Sequence, residues 1–567
     1  MFTLDSPHIL SLGLAFIFSI VIHFSLSGFT NKVQPFLISF VLFPFILMGL
    51  TLFIPQDFLQ YLIYLIIFTG FILASRKLPK RFEILNDQFM AISTNEKWFV
   101  IAVIIYLLSF FMSSTVLGGI GLIQDAMVYH LEGPKEWALY LNGAKFNPNN
   151  PIAFTTSYYD YYYYFLMLIL KPIYLYVAPL ASTHYEFLSY TMVLTAQIFT
   201  SIMGLVFVPI LILRFSSSLG LYKYLAIFFI YGLRDITWSW VLPKNDAFPF
   251  LCFLLAVDLF YEKYVIKKDN DNIFYLFLAS LIVGIGTASK LTNSYVVIFS
   301  LLFFVTFYYR NILTYINKIG MPRTIVIVTI GLGLGASVFL IRNYTSTGNP
   351  FYPIAKFGFP NIYLSDYADR PELYSMPGSW TNALLKIKYH IWAQPQLMLL
   401  LILAFFLRTR ILSLFYILMV IYMSKQTGPM FRFRMTTIFL ELSLILFILS
   451  VHQLKLIPEF KSKKIYSGLF IFVILIFAKV QVEKLVKYPF KFYSQKTGQL
   501  VKTNLDHWDE LLKSNIDNRN IHNYVYYPPF GVFPYFSRYP VVSLYDSVPR
   551  YRYNYYTTSK ETDGSAP

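Results

Sequence analysis

Long apolar stretches recur along this chain from one end to the other, and they constrain its fold more than any other feature of the sequence. A helix needs about 20 apolar residues to cross the hydrocarbon layer of a bilayer. Hydrophobic residues make up 57% of the chain and charged residues only 13%. The pattern predicts an all-α polytopic membrane protein with about 14 transmembrane helices, a large first external loop, and a small extracytoplasmic C-terminal segment.

Hydropathy places the individual spans. They are predicted at 8–28, 34–54, 57–74, 97–117, 186–213, 222–239, 247–265, 272–288, 293–309, 324–341, 391–407, 411–423, 434–451 and 465–480. The segment 158–180 is ambiguous, because it starts with polar residues and contains Pro172 and Pro179. These features favour an interfacial or re-entrant helix over a full crossing.

The formal net charge of +17 comes from lysines and arginines in short clusters between the apolar runs. Cytoplasmic loops of polytopic proteins carry such clusters, so the charge does not indicate a nucleic-acid partner. The basic loops are 75–82, 262–268, 308–323, 408–410 and 455–464. All five fall on one face, the cytoplasmic one, if 158–180 does not cross. The single cysteine, Cys252, excludes an intramolecular disulfide.

Three parts of the chain follow from this topology. Residues 1–96 hold about three spans and a basic cytoplasmic loop, and residues 97–482 form a transmembrane core that includes the external loop 118–185. Residues 483–567 form a small extracytoplasmic segment, for which we predict one short helix, two short strands and a disordered end.

Six cations are predicted at the extracytoplasmic ends of helices, opposite to the basic loops. They are Lys244, Lys290, Arg342, Lys425, Arg432 and Arg434. Each could reach the interface or pair with a nearby acid. Together they favour a binding site for an anion at membrane depth, such as a lipid phosphate, because arginine and lysine bind phosphate at close range.

Carboxylates lie on the same predicted side. Asp125, in the first external loop, could cap a helix, pair with a cation or act as a general base that accepts a proton from an attacking hydroxyl or amine. Asp246 lies at the mouth of the span 247–265. Tyr129, His130 and Glu132 are expected to contact the acceptor or to shape the loop, and the spacing of these groups does not favour a metal site or another cofactor.

Two further patterns stand out in the extracytoplasmic loops. The run "SYYDYYYYF" is typical of an interfacial aromatic belt, and some of its tyrosines could line a sugar site. Asn343 lies in an N-x-T sequon, which by itself does not predict glycosylation.

Five segments together resemble bacterial membrane glycosyltransferases of the C-type superfamily, which are related to the protein O-mannosyltransferases and aminoarabinose transferases. The segments, within about 97–450, are "QDAMVYHLEGPKEW", "PKNDAF", "GIGTASKLTN", "IRNYTSTGNPFYP" and "GPMFRFRM". Two departures from the family are three additional helices before the span that precedes Asp125 and the lack of a D-x-D or E-x-D pair in the rest of the first external loop after Asp125.

The resemblance implies an inverting transfer of a sugar from a polyprenyl-phosphate donor to a lipid, glycan or protein acceptor, at the outer face of the bacterial cytoplasmic membrane. Asp125 would be the catalytic base, Asp246 a secondary acid, and Lys290, Arg342, Arg432 and Arg434 the donor-phosphate ligands. The alternatives are a transporter or flippase for a lipid-linked glycan and an O-antigen-type polymerase or ligase. The expected partners are the lipid donor, the acceptor and membrane lipids.

Overall fold

The computed structural model describes part of the chain. The described residues are 6–30, 32–111, 130–139, 141–146, 154, 157–177, 182–215, 223, 224, 227, 231, 240–266, 273–289, 309–310, 312–352, 359, 410, 414, 524–527, 541–543 and 555–556.

Helices make up most of the described residues. In chain order they are α1 (Ser6–Ser27), α2 (Val33–Thr51), α3 (Gln56–Ala91), α4 (Thr94–Phe111), α5 (Glu132–Leu139), α6 (Asp160–Val177), α7 (Ser182–Ile202), α8 (Val208–Phe215), α9 (Ala247–Phe260), α10 (Ile273–Ser289) and α11 (Met321–Thr347). A π-helical turn, Met203–Phe207, joins α7 to α8, and another, Tyr261–Ile266, follows α9.

Among the described residues, five helical stretches are long and apolar enough to cross a bilayer. They are Leu10–Ser27, Val33–Thr51, Gln56–Arg81, Thr191–Arg214 and Met321–Thr347. Each coincides with a predicted span, and the predicted spans 97–117, 247–265 and 272–288 are also helical where the structure describes them. The spans predicted at 222–239 and 293–309 and the four from 391 onward lie mostly outside the described residues, so the total of about 14 stays a prediction.

Helices α1 and α7 run in the same direction. The hydroxyl of Thr191 donates to that of Ser11 at 3.2 Å, and further along both helices the ring centroids of His23 and Phe199 lie 4.3 Å apart. If α2, α3 and α4 each cross the membrane, α7 can run parallel to α1 only if α6 does not cross. This direction agrees with the interpretation of 158–180 as a non-crossing segment.

Helix α6 packs inside the bundle. The hydroxyl of Tyr162 donates to the carbonyl oxygen of Phe40 in the middle of α2. Further along α6, the Nζ atom of Lys171 lies 3.7 Å from Oδ1 of Asp57 at the start of α3. The tyrosines at the start of this segment are all fully buried; they are Tyr158, Tyr159, Tyr161, Tyr162, Tyr163 and Tyr164. They therefore form core packing and not an interfacial belt.

The contacts define two ends of the bundle. We call one of them the Arg214 end. There Arg214 Nη2 lies 3.2 Å from Asp258 Oδ2, and Asp258 also accepts a hydrogen bond from Gln34 at the start of α2. At the other end, α2 ends, α3 begins, and α5 packs against the start of α3. We call this the α5 end. Gln56 marks it, because its side chain donates to the carbonyl oxygen of Ala138 in α5 at 2.9 Å.

Glycines bring α10 and α11 into close contact. A Cβ atom added at Gly335 would lie 2.4 Å from the carbonyl oxygen of Leu281 and 2.8 Å from the nitrogen of Ile285, whereas one added at Gly333 would meet nothing within 4 Å. Small residues at a crossing let helix backbones approach in this way. The two helices are parallel, since Gly331 contacts α10 one turn before Gly335 does.

Gly335→Ala should therefore destabilise the protein, and Gly333→Ala should not. The methyl group at Gly335 meets backbone that cannot rotate away, and such overpacking costs about 1–3 kcal/mol. At Gly333 alanine fills open space and restricts the unfolded chain, so the change is expected to be neutral or stabilising by up to about 1 kcal/mol. Thermal unfolding of both variants in the same detergent checks this, and equal melting temperatures would contradict the packing of α10 on α11.

The part of the chain that the structure describes contains three short strands near the C-terminus. They are β1 (Tyr524–Tyr527), β2 (Val541–Ser543) and β3 (Tyr555–Tyr556), and they pair in parallel in the order β2-β1-β3. β1 and β2 confirm the two predicted strands, and β3 is a further strand that was not predicted. The end predicted to be disordered, 557–567, lies outside the described residues. The helix predicted at "LDHWDELL" lies outside the described residues.

Candidate functional site

Helix α5, formed by "EGPKEWAL", is buried although three of its eight residues are charged. Glu132 and Lys135 approach to 3.9 Å, and Glu136 is also buried. Burial raises the pKa of the Glu132 carboxyl and lowers that of the Lys135 ammonium, and the attraction between the two groups opposes both shifts. Buried ionisable groups are expensive and are common at functional sites, so α5 is a candidate site and not a solvated loop.

Aromatic packing fixes α5 against α6. The ring centroid of Trp137 lies 5.3 Å from that of Tyr161 and 5.8 Å from that of Tyr164. The hydroxyl of Tyr164 donates to the side-chain oxygen of Gln56, whose amide nitrogen donates to α5. The first external loop is therefore held to α3 and α6 at the α5 end.

His130 and Asp160 form a buried hydrogen-bonded pair. His130 Nδ1 lies 2.7 Å from Asp160 Oδ1, and the two residues are 4% and 0% exposed. The second oxygen of Asp160 accepts the backbone N–H of Ser157 at 2.6 Å. Both carboxyl oxygens of Asp160 thus have hydrogen-bond partners, which offsets the cost of burying this polar group.

Asn245 connects this pair to the next two motifs. Its side-chain nitrogen donates to the hydroxyl of Ser157 and to the carbonyl oxygen of Ser289, both at 3.0 Å. Asn245 lies in "PKNDAF", and Ser289 lies in "GIGTASKLTN". Hydrogen bonds therefore join three segments that are more than 40 residues apart in the chain.

Arg342, near the end of α11, is only 1% exposed. Its Nη2 donates to the carbonyl oxygen of Phe154 at 2.8 Å, and its guanidinium carbon lies 4.0 Å from the centroid of the Phe154 ring. The same guanidinium lies 5.8 Å from the ring centroid of Trp137. In this arrangement Arg342 holds the first external loop against α11.

Asn343, next to it, supports the turn that ends α11. Gly348 adopts φ 72°, the left-handed conformation that terminates many helices, and the chain then reverses. The Asn343 amide donates to the carbonyl oxygens of Pro350 and Tyr352, each at 3.3 Å. Because this side chain is buried and bonded within the turn, the sequon at Asn343 is not accessible for glycosylation.

The predicted site residues divide into two groups. Asp246, His130, Glu132 and Arg342 are buried at the α5 end, and Lys244 is half-buried beside them. Asp125, Tyr129, Lys290, Lys425, Arg432 and Arg434 lie outside the described residues. In the sequence Tyr129 directly precedes His130, and Lys290 directly follows Ser289.

Sequence reasoning did not single out Asp160, Asn245 or Trp137. For Asp160 a signal was present, because a lone acid among six tyrosines and an apolar run is too costly to bury without partners. For Asn245 and Trp137 the sequence gives no comparable signal. Their roles depend on contacts between segments that are far apart in the chain.

The described cluster combines proton-handling groups with a rigid frame. His130 and Glu132 are residues of the types that serve as general acids or bases. Asn245 and Arg342 hold the neighbouring segments together through their hydrogen bonds. Among the described residues, no three histidine, cysteine, aspartate or glutamate side chains come together as metal ligands.

No family model, curated protein or solved structure matches the chain.

Proposed function

We propose that this protein is a membrane glycosyltransferase that moves a sugar from a polyprenyl-phosphate donor to an acceptor at the extracytoplasmic face of the bacterial cytoplasmic membrane. One observation carries the proposal. Described residues from four of the five glycosyltransferase-like segments meet at the α5 end of the bundle. They are His130, Asn245, Ser289 and Arg342, which connect through Asp160, Ser157, Phe154 and Trp137.

A basic loop at the Arg214 end, opposite to α5, supports the proposed membrane side of the site. Lys77 and Arg81, from the basic loop 75–82, donate to carbonyl oxygens that follow or end α1, Gly28 and Ser27, at 2.7 Å each. This is the Arg214 end. Because basic loops mark the cytoplasm, this contact supports an extracytoplasmic position for the α5 end.

In the proposed reaction the acceptor oxygen attacks the anomeric carbon, and the bond from that carbon to the phosphate oxygen breaks. Asp125 accepts the acceptor's proton, and the bonding electron pair leaves with the lipid phosphate. Lys290, Arg432 and Arg434 stabilise the negative charge that develops on this phosphate. Asp246 orients the donor or the acceptor, and Tyr129 contacts the acceptor.

Arg342 has a different role in this scheme. Its Nη2 and Nε are already bonded to Phe154 and to the side chain of Asn343. We therefore assign it to holding the loop that carries Asp125 and not to direct contact with the phosphate. Positioning of this kind contributes strongly to catalysis, because small displacements of a reacting group lower the rate steeply.

Binding of the lipid phosphate is the first test. Polyprenyl phosphate should raise the melting temperature of the purified protein, since a ligand at 100 times its Kd stabilises the folded state by about 2.7 kcal/mol. The control is the uncharged polyprenol of equal length, which shares the apolar tail. Equal shifts for both lipids would contradict a phosphate site.

A further inference from the structure

The hydroxyl of Tyr158 contacts two backbone groups of α11 that are partners of each other in a regular helix. In an α-helix each N–H donates to the carbonyl oxygen four residues earlier, so the regular partner of the Phe339 N–H is the Gly335 carbonyl. The Tyr158 hydroxyl donates to this carbonyl oxygen at 2.9 Å and accepts this N–H at 3.0 Å. Each of the two backbone groups can therefore pair either with the other or with Tyr158.

The sequence of α11 around this turn favours bending. Helices bend where a side chain inserts into the backbone ladder and at glycine and serine residues. Space is open at Gly333, since an added Cβ atom would meet nothing within 4 Å there. Ser337, inside the turn, donates to the carbonyl oxygen of Leu334 at 2.8 Å and so competes with the backbone ladder. Glycine, serine and the inserted tyrosine thus weaken the same part of α11.

The parts of α11 on the two sides of this turn are attached to different neighbours. Before it, Gly331 and Gly335 lie against α10. After it, Arg342 donates to the carbonyl oxygen of Phe154 in the first external loop, and its guanidinium packs on the ring of the same residue. A change in the turn would therefore move the end of α11 and the backbone at Phe154 while the start of the helix stays on α10.

Opening of this turn leaves neither backbone group unpaired. A buried N–H or carbonyl group without a hydrogen-bond partner is costly. In a regular turn inside a protein, separation of the two groups removes the partner of both. Here the Tyr158 hydroxyl holds both groups when they separate, and they bond directly to each other when it withdraws. Only the hydroxyl loses its partners in the second arrangement, so α11 has two arrangements with equal backbone pairing, as a bistable element requires.

We propose that the turn 335–339 is a hinge in α11 and that the Tyr158 hydroxyl permits this hinge to open. Opening moves the last turns of α11, with Arg342, relative to the start of α3. The described cluster at the α5 end is buried, and movement of α11 beside it opens this cluster to a ligand. The inference goes beyond the proposed function, because it concerns a change of shape at the α5 end and not the group that reacts there.

Tyr158→Phe separates a hinge from a simple anchor. The ring is kept, and the lost hydroxyl leaves the direct bond between Gly335 and Phe339 as the pairing of these two groups. A hinge that depends on the hydroxyl is then closed, whereas an anchor is loosened by the loss of two hydrogen bonds. The two roles predict changes of opposite sign in the mobility of α11.

Distances between two spin labels measure this motion. One label is attached at Tyr344→Cys on the end of α11 and the other at Phe58→Cys on the start of α3, and both positions are exposed. The native Cys252 is fully buried and is expected to stay unlabelled. We expect two distances in the otherwise wild-type protein, and in Tyr158→Phe a minor population at least about tenfold smaller.

Two controls accompany this measurement. Labels at Ile325→Cys and Ser75→Cys, both exposed and on the Arg214 side of the hinge, should give one distance that Tyr158→Phe leaves unchanged. Ser337→Ala introduces a better helix former and should shrink the minor population about twofold. This variant keeps the hinge testable if Tyr158→Phe does not fold.

A single distance in the wild-type background would overturn the hinge. So would a distribution that stays the same or broadens in Tyr158→Phe, because this result assigns the tyrosine to anchoring α11. If only Ser337→Ala folds, an unchanged minor population overturns the hinge. None of these measurements uses a sugar donor, so a protein that consumes no lipid donor would refute the proposed function and leave the hinge standing.

Discussion

Asp125→Asn should lower the rate of sugar transfer by about 10²- to 10⁴-fold, the usual contribution of a general base. The amide has nearly the same shape as the carboxylate but cannot accept the acceptor's proton. Binding of the lipid donor should stay within about threefold of wild type, because the phosphate ligands in the proposal are cations elsewhere. The rate is measured as labelled lipid phosphate released by the purified protein.

Asp87→Asn provides the matched control. Asp87 is exposed on α3, toward the helix end opposite to α5, and the same change there should leave transfer unaltered. Full activity in Asp125→Asn would remove Asp125 from the mechanism. Loss of donor binding in this variant would instead assign Asp125 to the donor site.

Arg342→Leu should destabilise the protein by about 2–3 kcal/mol and loosen the first external loop. The change removes a charged hydrogen bond to the Phe154 carbonyl and leaves this oxygen buried without its donor. It also removes the planar group that packs on the Phe154 and Trp137 rings. Trypsin cleavage after the exposed Lys145 reports the loosening, and the variant should be cut several-fold faster than wild type.

Two further variants test the cause. Arg323→Leu removes an exposed arginine from the first turn of the same helix and should change neither the melting temperature nor cleavage after Lys145. Arg342→Lys should not restore stability, because an ammonium cannot stack on two rings while it donates to Phe154. Wild-type cleavage rates in Arg342→Leu would contradict the holding role.

The sequence predicted the membrane helices well, because hydrocarbon accepts only long apolar segments with internal hydrogen bonds. Span Met321–Thr347 and the two strands at 524–527 and 541–543 were recognised from local pattern alone. The treatment of α6 as non-crossing also came from local features, its prolines and polar start. The parallel contacts of α1 and α7 support it independently.

The interior of the site was less predictable. "SYYDYYYYF" has the composition of an interfacial belt, but its tyrosines are buried because α2, α3, α7 and α11 surround them. Tyr158, for example, donates to the carbonyl oxygen of Gly335 and accepts the N–H of Phe339 in α11. Partners 177 and 181 residues away leave no trace in a local pattern.

The role of Arg342 shows the same limit. A positive charge at a helix end that is predicted to be extracytoplasmic favours a binding site for an anion. The sequence does not show that Arg342 will instead donate a hydrogen bond to the carbonyl oxygen of Phe154. Charge and hydropathy predicted Arg342 at the same helix end as Asp246, and in the structure both residues are buried at the α5 end. Its partner was decided by the packing of the first loop on α11.

Turnover of the donor tests the central claim most directly. Purified protein in vesicles receives polyprenyl phosphates that carry a labelled hexose or pentose, with membrane extract from cells lacking the protein as the source of acceptor. We predict that lipid phosphate is released in step with labelling of the acceptor. Movement of the intact labelled lipid across the vesicle membrane, with no phosphate released, would contradict the account and identify a transporter.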